Sequence, residues 1–397
     1  MDIRELKTPC YIVNDEEYEN NLLTFKAAFT EAWGEKVAFG YSVKTNNLPY
    51  MLKQALAHGY VAEVVSPDEL AFAARCGAVG EQVIYNGPQK GDTLLTALRS
   101  GAIVNLDNLD EVEAVCAAFA GTDTQPRLGL RVNFDLENLC PGETTCEGVP
   151  GRFGICLENG DFERAMERLR ASGLKLSGLH LHQSSKTRSL SIYAAIAQKA
   201  VEIGRTYGLD GLDFVDMGGG YFGGNFFHGK PTIPQYADTI CQTLREFYDP
   251  ARTTLILEPG AAVLATAMDY LTAVLNIRAV RCHRIVTVDG SLLHINPMMR
   301  PHPTPFTMLD PGEESDAEQI IAGSTCMELD RFWPRDMHNL AEKGSRFLFH
   351  CCGAYMSTHN SNFINAAPNI YLCRNGEYTL LREKSIEPLF WEKGASK

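Results

Sequence analysis

VAFGYSVKTN, at residues 37–46, begins with the first of eight short apolar runs along the chain, VAFGYSV (37–43), and the residue after that run is Lys44. Such runs are rich in Val, Ile and Leu without polar alternation, which is typical of parallel strands buried on both faces. Amphipathic stretches separate them, and eight strand–helix repeats predict a (β/α)8 barrel. The other seven runs lie at 61–66, 83–87, 102–107, 127–133, 176–182, 212–218 and 254–260.

A doubly wound open sheet is the main structural alternative, but it would normally have fewer strands and a Gly-rich turn after the first one. From residue 264 onward the helical patterns give way to strand-like runs, and an Asn-Gly pair at 375–376 predicts a hairpin. TPCYIVN, at 8–14, also has the composition of a strand. We therefore predict an α/β fold, with a barrel over 26–263 and a mainly β domain built from 1–25 and 264–397.

The bulk composition excludes several classes of partner. The 397 residues carry a formal net charge of -13, which argues against nucleic acid or an anionic membrane surface as a partner. No apolar run approaches the roughly 18 residues of a membrane span, and the charged N-terminus lacks the apolar core of a signal peptide. The twelve cysteines form no C-x-x-C pair, so we expect reduced thiols, a cytoplasmic location and no metal site.

Four features that could carry chemistry follow barrel strands, and a barrel places its chemistry at the carboxyl ends of its strands. They are Lys44, His182, the glycines 218–220 and Glu258. A desolvated lysine amine can bind a carbonyl group, and a glycine run can bring backbone N–H groups to a phosphate. Each feature alone has an ordinary explanation as a surface lysine, a core histidine, a turn or a strand-end acid. Their convergence on one mouth favours a functional site.

Six motifs in order along the chain carry a resemblance to a known family. They resemble the fold-III pyridoxal-phosphate (PLP) decarboxylases, which include diaminopimelate and ornithine decarboxylases and share their barrel with alanine racemase. The resemblance implies a PLP enzyme that removes the α-carboxylate of an L-amino acid. The motifs are YSVKTN (41–46), GLHLHQSS (178–185), DMGGGY (216–221), EPG (258–260), GSTCMELD (323–330) and GAY with the following NF (353–363).

The same resemblance implies individual roles at the cofactor. Lys44 matches the Schiff-base lysine, His182 the histidine that stacks on the cofactor ring, and Glu258 the carboxylate that faces the pyridine nitrogen. A carboxylate there keeps the ring protonated, which makes it a better electron sink. Glu63 matches an acidic position near the lysine. The remaining cofactor-binding positions are Ser185, Gly218, Gly219, Gly220, Gly260 and Tyr355.

The loop that contains Cys326 resembles a family loop that enters the active site of the partner subunit. The resemblance therefore implies a homodimer with two shared active sites. Cys326 would return a proton to the substrate after carbon dioxide leaves, and Asp330 would act across the interface as well. Outside this context, a buried apolar role would be the default for such a thiol.

The chain departs from the family pattern at positions that recognise the substrate. Met327 stands where ornithine and diaminopimelate enzymes carry Asp or Glu, Ala261 stands where Arg is common, and Thr304 replaces a Tyr. Ser184 replaces a Gly of the phosphate motif. A thioether cannot compensate a buried ammonium group, so free ornithine, lysine and diaminopimelate become poor candidates.

We therefore predict an amino-acid substrate whose far end is modified or conjugated. The candidate classes are a citryl-diaminopropionate-type siderophore intermediate, a carboxypolyamine and an acylated amino acid. Arg300 and His294 are the expected grips for distal carboxylates, and Glu328 would replace Met327 if the loop register shifted by one residue. Decarboxylation of free diaminopimelate, ornithine or lysine is the alternative.

Two further alternatives share the barrel and the lysine. A PLP-dependent racemase of this kind usually sets an Arg against the pyridine nitrogen, so Glu258 and Cys326 favour a decarboxylase. A non-catalytic PLP-binding protein would be shorter and would lack the β domain. A decarboxylase-derived regulator would have lost the cofactor residues, which this chain retains.

Overall fold

The computed structural model describes residues 2–224, 229–299, 303–333, 337–356, 358–359 and 362–390. The chain divides into two compact units. The barrel unit runs from Asn21 to Val263, and the β unit combines the residues up to Asn20 with those from Leu264 onward. The sequence places the first boundary at residue 26, whereas the structure divides the chain within its first helix.

Eight parallel strands close into a barrel, which confirms the predicted fold and rules out the open sheet. The chain begins with strand β1 (Cys10–Asn14), which belongs to the β unit, and helix α1 (Asp15–Trp33). The barrel closes because β5 pairs with both β4 and β6, while a short β7 extends β6 alone. The strands are β2 (Val37–Ser42), β3 (Val61–Val64), β4 (Val83–Tyr85), β5 (Ile103–Leu106), β6 (Leu128–Asn133), β7 (Ile155–Cys156), β8 (Gly178–His180), β9 (Phe214–Asp216) and β10 (Thr254–Leu257).

Apolar side chains fill the barrel, as the continuous apolar runs require. Ile84, Ile103, Phe214 and Ile256 come from four different strands and pack into one buried cluster. Burying apolar surface of this kind stabilises the fold by roughly 25 cal/mol per Å². Glu63, Asn105 and Asp216 lie in the carboxyl-terminal halves of β3, β5 and β9, which is where the site is found.

The helices of the barrel unit start and stop at sequence signals. Ser66 accepts the backbone N–H of Glu69 and caps α3, as the sequence predicts, and Asn108 caps α5 in the same way through Glu111. These caps fix the loops that follow β3 and β5. The helices are α2 (Pro49–Ala57), α3 (Pro67–Cys76), α4 (Thr93–Arg99), α5 (Leu109–Phe119), α6 (Leu136–Leu139), α7 (Asp161–Ala171), α8 (Leu190–Tyr207), α9 (Ile233–Leu244) and α10 (Ala261–Leu264).

The β unit joins the two ends of the chain. Strand β1 lies between β11, with which it runs antiparallel, and β17, with which it runs parallel. Asn375 and Gly376 both have positive φ and form the predicted hairpin turn. The strands are β11 (Met268–Val280), β12 (His283–Val288), β13 (Phe306–Leu309), β14 (Gln319–Ala322), β15 (Arg331–Phe332), β16 (Arg346–Phe349), β17 (Asn369–Arg374) and β18 (Glu377–Arg382).

Short 3-10 segments complete the described structure, at Ile3–Glu5, Gly80–Gln82, Leu292–His294 and Glu387–Phe390. Within the described ranges, none of the helices combines the length and apolarity needed to cross a bilayer.

Candidate active site

Lys44 and Glu63 meet at the mouth of the barrel. Lys44 follows β2, Glu63 lies on the neighbouring β3, and the lysine Nζ donates to Glu63 Oε2 at 2.5 Å. The lysine side chain is 37% exposed, whereas the glutamate is fully buried. The Lys44 amine is therefore bound to a carboxylate and remains accessible to a molecule that enters the mouth of the barrel.

An asparagine connects the two ends of this site. Asn86, at the end of β4, donates through Nδ2 to Glu258 Oε1 at 2.5 Å and to Glu63 Oε1 at 3.0 Å. Its own Oδ1 accepts from Asn105 Nδ2 at 2.8 Å. The carboxylates near Lys44 and at the end of β10 thus share one buried hydrogen-bond donor.

Glu258 lies in a buried cluster with His180 and Asp216, in which one N or O atom of each side chain lies within 4.8 Å of those of the other two. Burial and the nearby Glu258 raise the pKa of Asp216 well above its usual value. Burial lowers the pKa of His180, and the nearby Glu258 opposes that shift. Burial opposes ionisation of Glu258, but His180 and Lys44 outweigh that penalty and hold its pKa below the usual range. Of the two carboxyl groups, Asp216 therefore holds the proton and Glu258 the charge.

His182 follows β8 and is neutral. Burial and the neighbouring Arg131 lower its pKa to about 3. Its Nδ1 accepts the backbone N–H of Gly219 at 3.2 Å, which fixes the orientation of the ring. A neutral imidazole held in one orientation is suited to stacking against a flat ring.

The glycine run 218–220 is packed so tightly that side chains would not fit. A Cβ at Gly218 would lie 2.4 Å from the Cβ of His182, and one at Gly219 would lie 2.2 Å from the backbone O of Glu258. Gly218 also has a φ of 66°, a region that favours glycine. The bare backbone can approach a ligand, as a phosphate cradle requires. At the neighbouring loop, Ser185 is half-buried, and its Oγ accepts the N–H of Arg188.

Arg131 is a buried cation that the sequence analysis missed. Its side chain is 9% exposed, and its Nη1 lies 3.6 Å from the Asp107 carboxylate. Its Nη2 donates to the backbone O of His182 at 3.4 Å, but its Nε has no hydrogen-bond partner among the described residues. Buried polar atoms are normally paired, so an orphaned guanidinium N–H beside the mouth indicates a ligand.

A shared signal could have identified the missed residues. Arg131, Asn105 and Asp216 are polar residues inside apolar runs that are otherwise fit for burial. A polar side chain buried in such a strand needs a hydrogen-bond partner. When neighbouring strands each carry one, they predict a buried hydrogen-bond network.

The loop of Cys326 belongs to the β unit. Cys326 is exposed, Met327 is half-buried, and the side chain of Glu328 is 95% exposed, with Oε2 3.4 Å from Arg331. Asp330 is buried and accepts from the backbone N–H groups of Leu292 and Thr325 and from the Thr325 hydroxyl. Asp330 therefore holds the loop within its own unit, and its carboxylate is already used there.

The other expected positions of the β unit have different surroundings. Tyr355 is 40% exposed and has a φ of 67°. His294 is buried, its Nδ1 is hydrogen-bonded to the Tyr270 hydroxyl, and burial lowers its pKa to about 4. That His294 grips a carboxylate stays a prediction, and its buried, neutral ring could supply a hydrogen bond but not a positive charge. Arg300 lies outside the described residues, and Thr304 is buried.

A family model provides the identification. The family model described as "Pyridoxal-dependent decarboxylase, pyridoxal binding domain" matches residues 18–265, which is more than half of the chain. The chain belongs to this family. It is a PLP-dependent carboxy-lyase that acts on an amino acid, as the resemblance in the sequence implies.

Relatives of this decarboxylase cover nearly its whole length. A probable chloroplastic diaminopimelate decarboxylase of Oryza sativa subsp. japonica is 26% identical, covering 90% of this chain and 73% of the relative. An L-glutamyl-[BtrI acyl-carrier protein] decarboxylase of Niallia circulans is 26% identical, covering 96% and 92%. Diaminopimelate decarboxylase of Helicobacter pylori, crystallised with L-lysine, superposes with a TM-score of 0.80 at 22% identity, covering 98% and 97%. This last likeness supports the fold.

The residues at the mouth fit PLP. The accessible amine suits the aldehyde of that cofactor, and the buried ionised carboxylate suits its pyridine nitrogen. The neutral histidine ring suits the face of the pyridine ring, and the bare glycine backbone suits the phosphate. The orphaned Nε of Arg131 adds a donor for a polar substituent of the ring.

Proposed function

We propose that this enzyme removes the α-carboxylate from an L-amino acid whose distal end is modified or conjugated. The observation that carries the proposal is Met327, an uncharged side chain in the Cys326 loop where relatives carry an acid. Ala261 supports it, because this position also lacks the charge that is common in the family. Burying an unpaired ammonium group against a thioether would be costly.

One relative supports a conjugated substrate. The Niallia circulans protein is named for a glutamyl group bound to an acyl-carrier protein, so a tethered amino acid is within the reach of this family. A citryl-diaminopropionate-type siderophore intermediate, a carboxypolyamine and an acylated amino acid all meet the requirement. Free diaminopimelate is the second candidate, because several relatives from plants and bacteria are named for it.

Each group at the mouth has a proposed task. The Lys44 amine, held by Glu63 and open to the mouth, would hold the cofactor aldehyde. Glu258 would keep a proton on the pyridine nitrogen, and the neutral ring of His182 would stack against the cofactor ring. The glycine backbone at 218–220, with Gly260, Ser185 and Tyr355, binds the phosphate. When bound, PLP supplies an electron sink for the electron pair left behind by carbon dioxide.

We also propose a homodimer in which Cys326 enters the site of the partner subunit and returns a proton to the substrate Cα. The exposure of Cys326 supports this role. Leu329, Met298 and Ile364 of the β unit are 67%, 64% and 55% exposed, and large exposed apolar side chains often mark an interface. A cytoplasmic location is supported by the cysteines, all of which are free thiols.

A panel of substrates tests the proposal. Carbon dioxide release would be measured for N-acylated and citryl-conjugated diamino acids, carboxypolyamines, free diaminopimelate and free ornithine. We expect at least about tenfold higher kcat/KM for a conjugated substrate, a factor that corresponds to about 1.4 kcal/mol. Met327→Asp is the matched variant, and it should shift the preference toward free diamino acids. Full efficiency of the natural enzyme on free diaminopimelate or ornithine would refute the modified substrate.

A second readout separates decarboxylation from racemisation. Loss of optical rotation without carbon dioxide release would indicate a racemase. We expect carbon dioxide release with one amine formed per substrate consumed, identified by mass spectrometry.

A further inference from the structure

Lys90 and Glu111 form a buried ion pair, and neither residue belongs to the set assigned to the cofactor. The Lys90 side chain is fully buried, and its Nζ lies 2.8 Å from Glu111 Oε2 and 3.1 Å from Glu111 Oε1. The same Nζ donates to the backbone O of Gly87 at 2.6 Å. Burial lowers the pKa of Lys90, and Glu111 opposes that shift. Two buried charges need a reason, because their desolvation is expensive.

The pair holds the ends of two neighbouring barrel strands. Gly87 follows β4, and Glu111 Oε2 also accepts the backbone N–H of Asp107, which follows β5, at 2.8 Å. The backbone at Gly87 is tightly packed, since an added Cβ would lie 2.3 Å from the O of Val65. Lys90 and Glu111 thus connect two loops at the mouth through the backbone.

From Asp107 the connection continues to the active site through a side chain. Asp107 Oδ1 accepts the N–H of Gly154 at 3.1 Å and lies 3.6 Å from Arg131 Nη1. Arg131 has few other anchors, namely the His182 backbone O and the ring of Phe153, which lies 4.6 Å from its guanidinium carbon. The position of Arg131 therefore depends on where Asp107 is held.

We propose that Lys90 and Glu111 are positioning residues that act through Asp107 to aim the Arg131 guanidinium at the bound cofactor. Arg131 is the buried cation among Glu258, Glu63 and Asp216, so a change in its aim alters the field at the cofactor ring. The inference rests on the proposed cofactor site and is independent of the identity of the substrate. A test that measures cofactor binding can therefore fail or succeed independently of the substrate proposal.

A double-mutant cycle on cofactor affinity tests the connection. Apoprotein would be prepared from the purified enzyme for Lys90→Met, Asp107→Asn and the double variant, and PLP would be titrated into each. We expect each single change to raise the Kd for PLP about tenfold, because misplaced positioning groups cost up to about 10²-fold in function. If the residues act in series, the double variant should resemble the weaker-binding single variant.

Controls distinguish positioning from general destabilisation. Lys199→Met removes one member of a surface pair with Glu202 in the same unit, and should leave the Kd for PLP unchanged. If Lys90→Met does not fold, Glu111→Gln takes its place in the cycle, because it removes the charge that holds Lys90 while keeping the size of the side chain. The proposal would be overturned if the increase in the Kd for PLP of the double variant equalled the product of the two single increases. A lowered Tm with an unchanged Kd for PLP would also overturn it.

Discussion

Glu258 and Asp216 are two buried carboxyl groups, and ionising both in so small a space is unfavourable. The pKa of Asp216 is raised by burial and by Glu258, so Asp216 is neutral and Glu258 carries the charge. Asp216→Asn keeps a neutral group of the same shape, and we expect the Kd for PLP to change less than about threefold. Glu258→Gln removes the charge, and kcat should fall by about 10²-fold or more.

Titration of the two apoproteins with PLP and steady-state decarboxylation would measure these effects. Equal losses in the Asp216→Asn and Glu258→Gln variants would contradict the assignment of the proton to Asp216.

The proton on Asp216 makes the free energy of unfolding depend on pH. The folded-state pKa of Asp216 is raised above the unfolded value of about 3.9, so the folded protein binds the extra proton. This contribution is complete below the unfolded pKa and is lost as pH rises through the folded pKa. We expect the unfolding free energy of Asp216→Asn apoprotein to decline less with rising pH above about pH 4.

Urea unfolding across that pH range measures the dependence. The exposed Asp213 provides the matched control, because Asp213→Asn, just before the same strand, should reproduce the pH dependence of the natural protein. An Asp216→Asn profile parallel to that of the natural protein would rule out the raised pKa.

The functional role of a single residue was predictable from the sequence where that role depends on its position at the end of a strand. Lys44, His182 and Glu258 follow apolar runs, and barrel geometry brings strand ends together. The network of Asn86, Asn105 and Arg131 was not predictable in the same way. Its bonds join residues on strands that are distant in sequence, and which amide meets which carboxylate depends on side-chain conformations that no spacing encodes.

At the scale of elements, the loop after β9 is held by close backbone packing. Gly219→Ala would place a methyl group 2.2 Å from the backbone O of Glu258, which cannot move without shifting β10. We expect a loss of about 1–3 kcal/mol in unfolding free energy and weaker PLP binding. Gly211→Ala is the control, because the nearest atom to its Cβ would be a guanidinium nitrogen of Arg252 at 3.8 Å.

Denaturant unfolding and PLP titration of both variants would check this expectation. Normal stability and cofactor affinity in Gly219→Ala would mean that the loop has more room than its packing indicates.

The eight barrel strands and the hairpin at Asn375–Gly376 were predictable because a continuous apolar run or a turn-forming pair marks each of them. The strands β13, β14 and β15 were missed. They have two to four residues and, unlike the equally short barrel strands, they do not lie in a longer apolar run, so their sequence is a weak signal without the strands β16, β12 and β14 that pair with them.

At the scale of the whole molecule, shared active sites predict complementation between two inactive variants. Lys44→Ala lacks the cofactor-binding amine, and Cys326→Ala lacks the proposed proton donor. A heterodimer of the two would contain one site with both residues intact. Random mixing should therefore restore about a quarter of the natural activity, since half of the dimers are mixed and each has one intact site.

The experiment would mix the purified variants under conditions that allow subunit exchange and then measure decarboxylation. Activity that never exceeds the sum of the two separate variants would argue that each subunit completes its own site.

The place of β1 between β11 and β17 sets the order in which the protein can be completed on the ribosome. Cys10 pairs with Leu271 on one side and with Asn369 on the other. The first strand therefore emerges early but has both edges unpaired until much of the polypeptide has been synthesised. A stalled or prematurely terminated chain that lacks β17 would keep one of those edges open, and open strand edges are templates for aggregation.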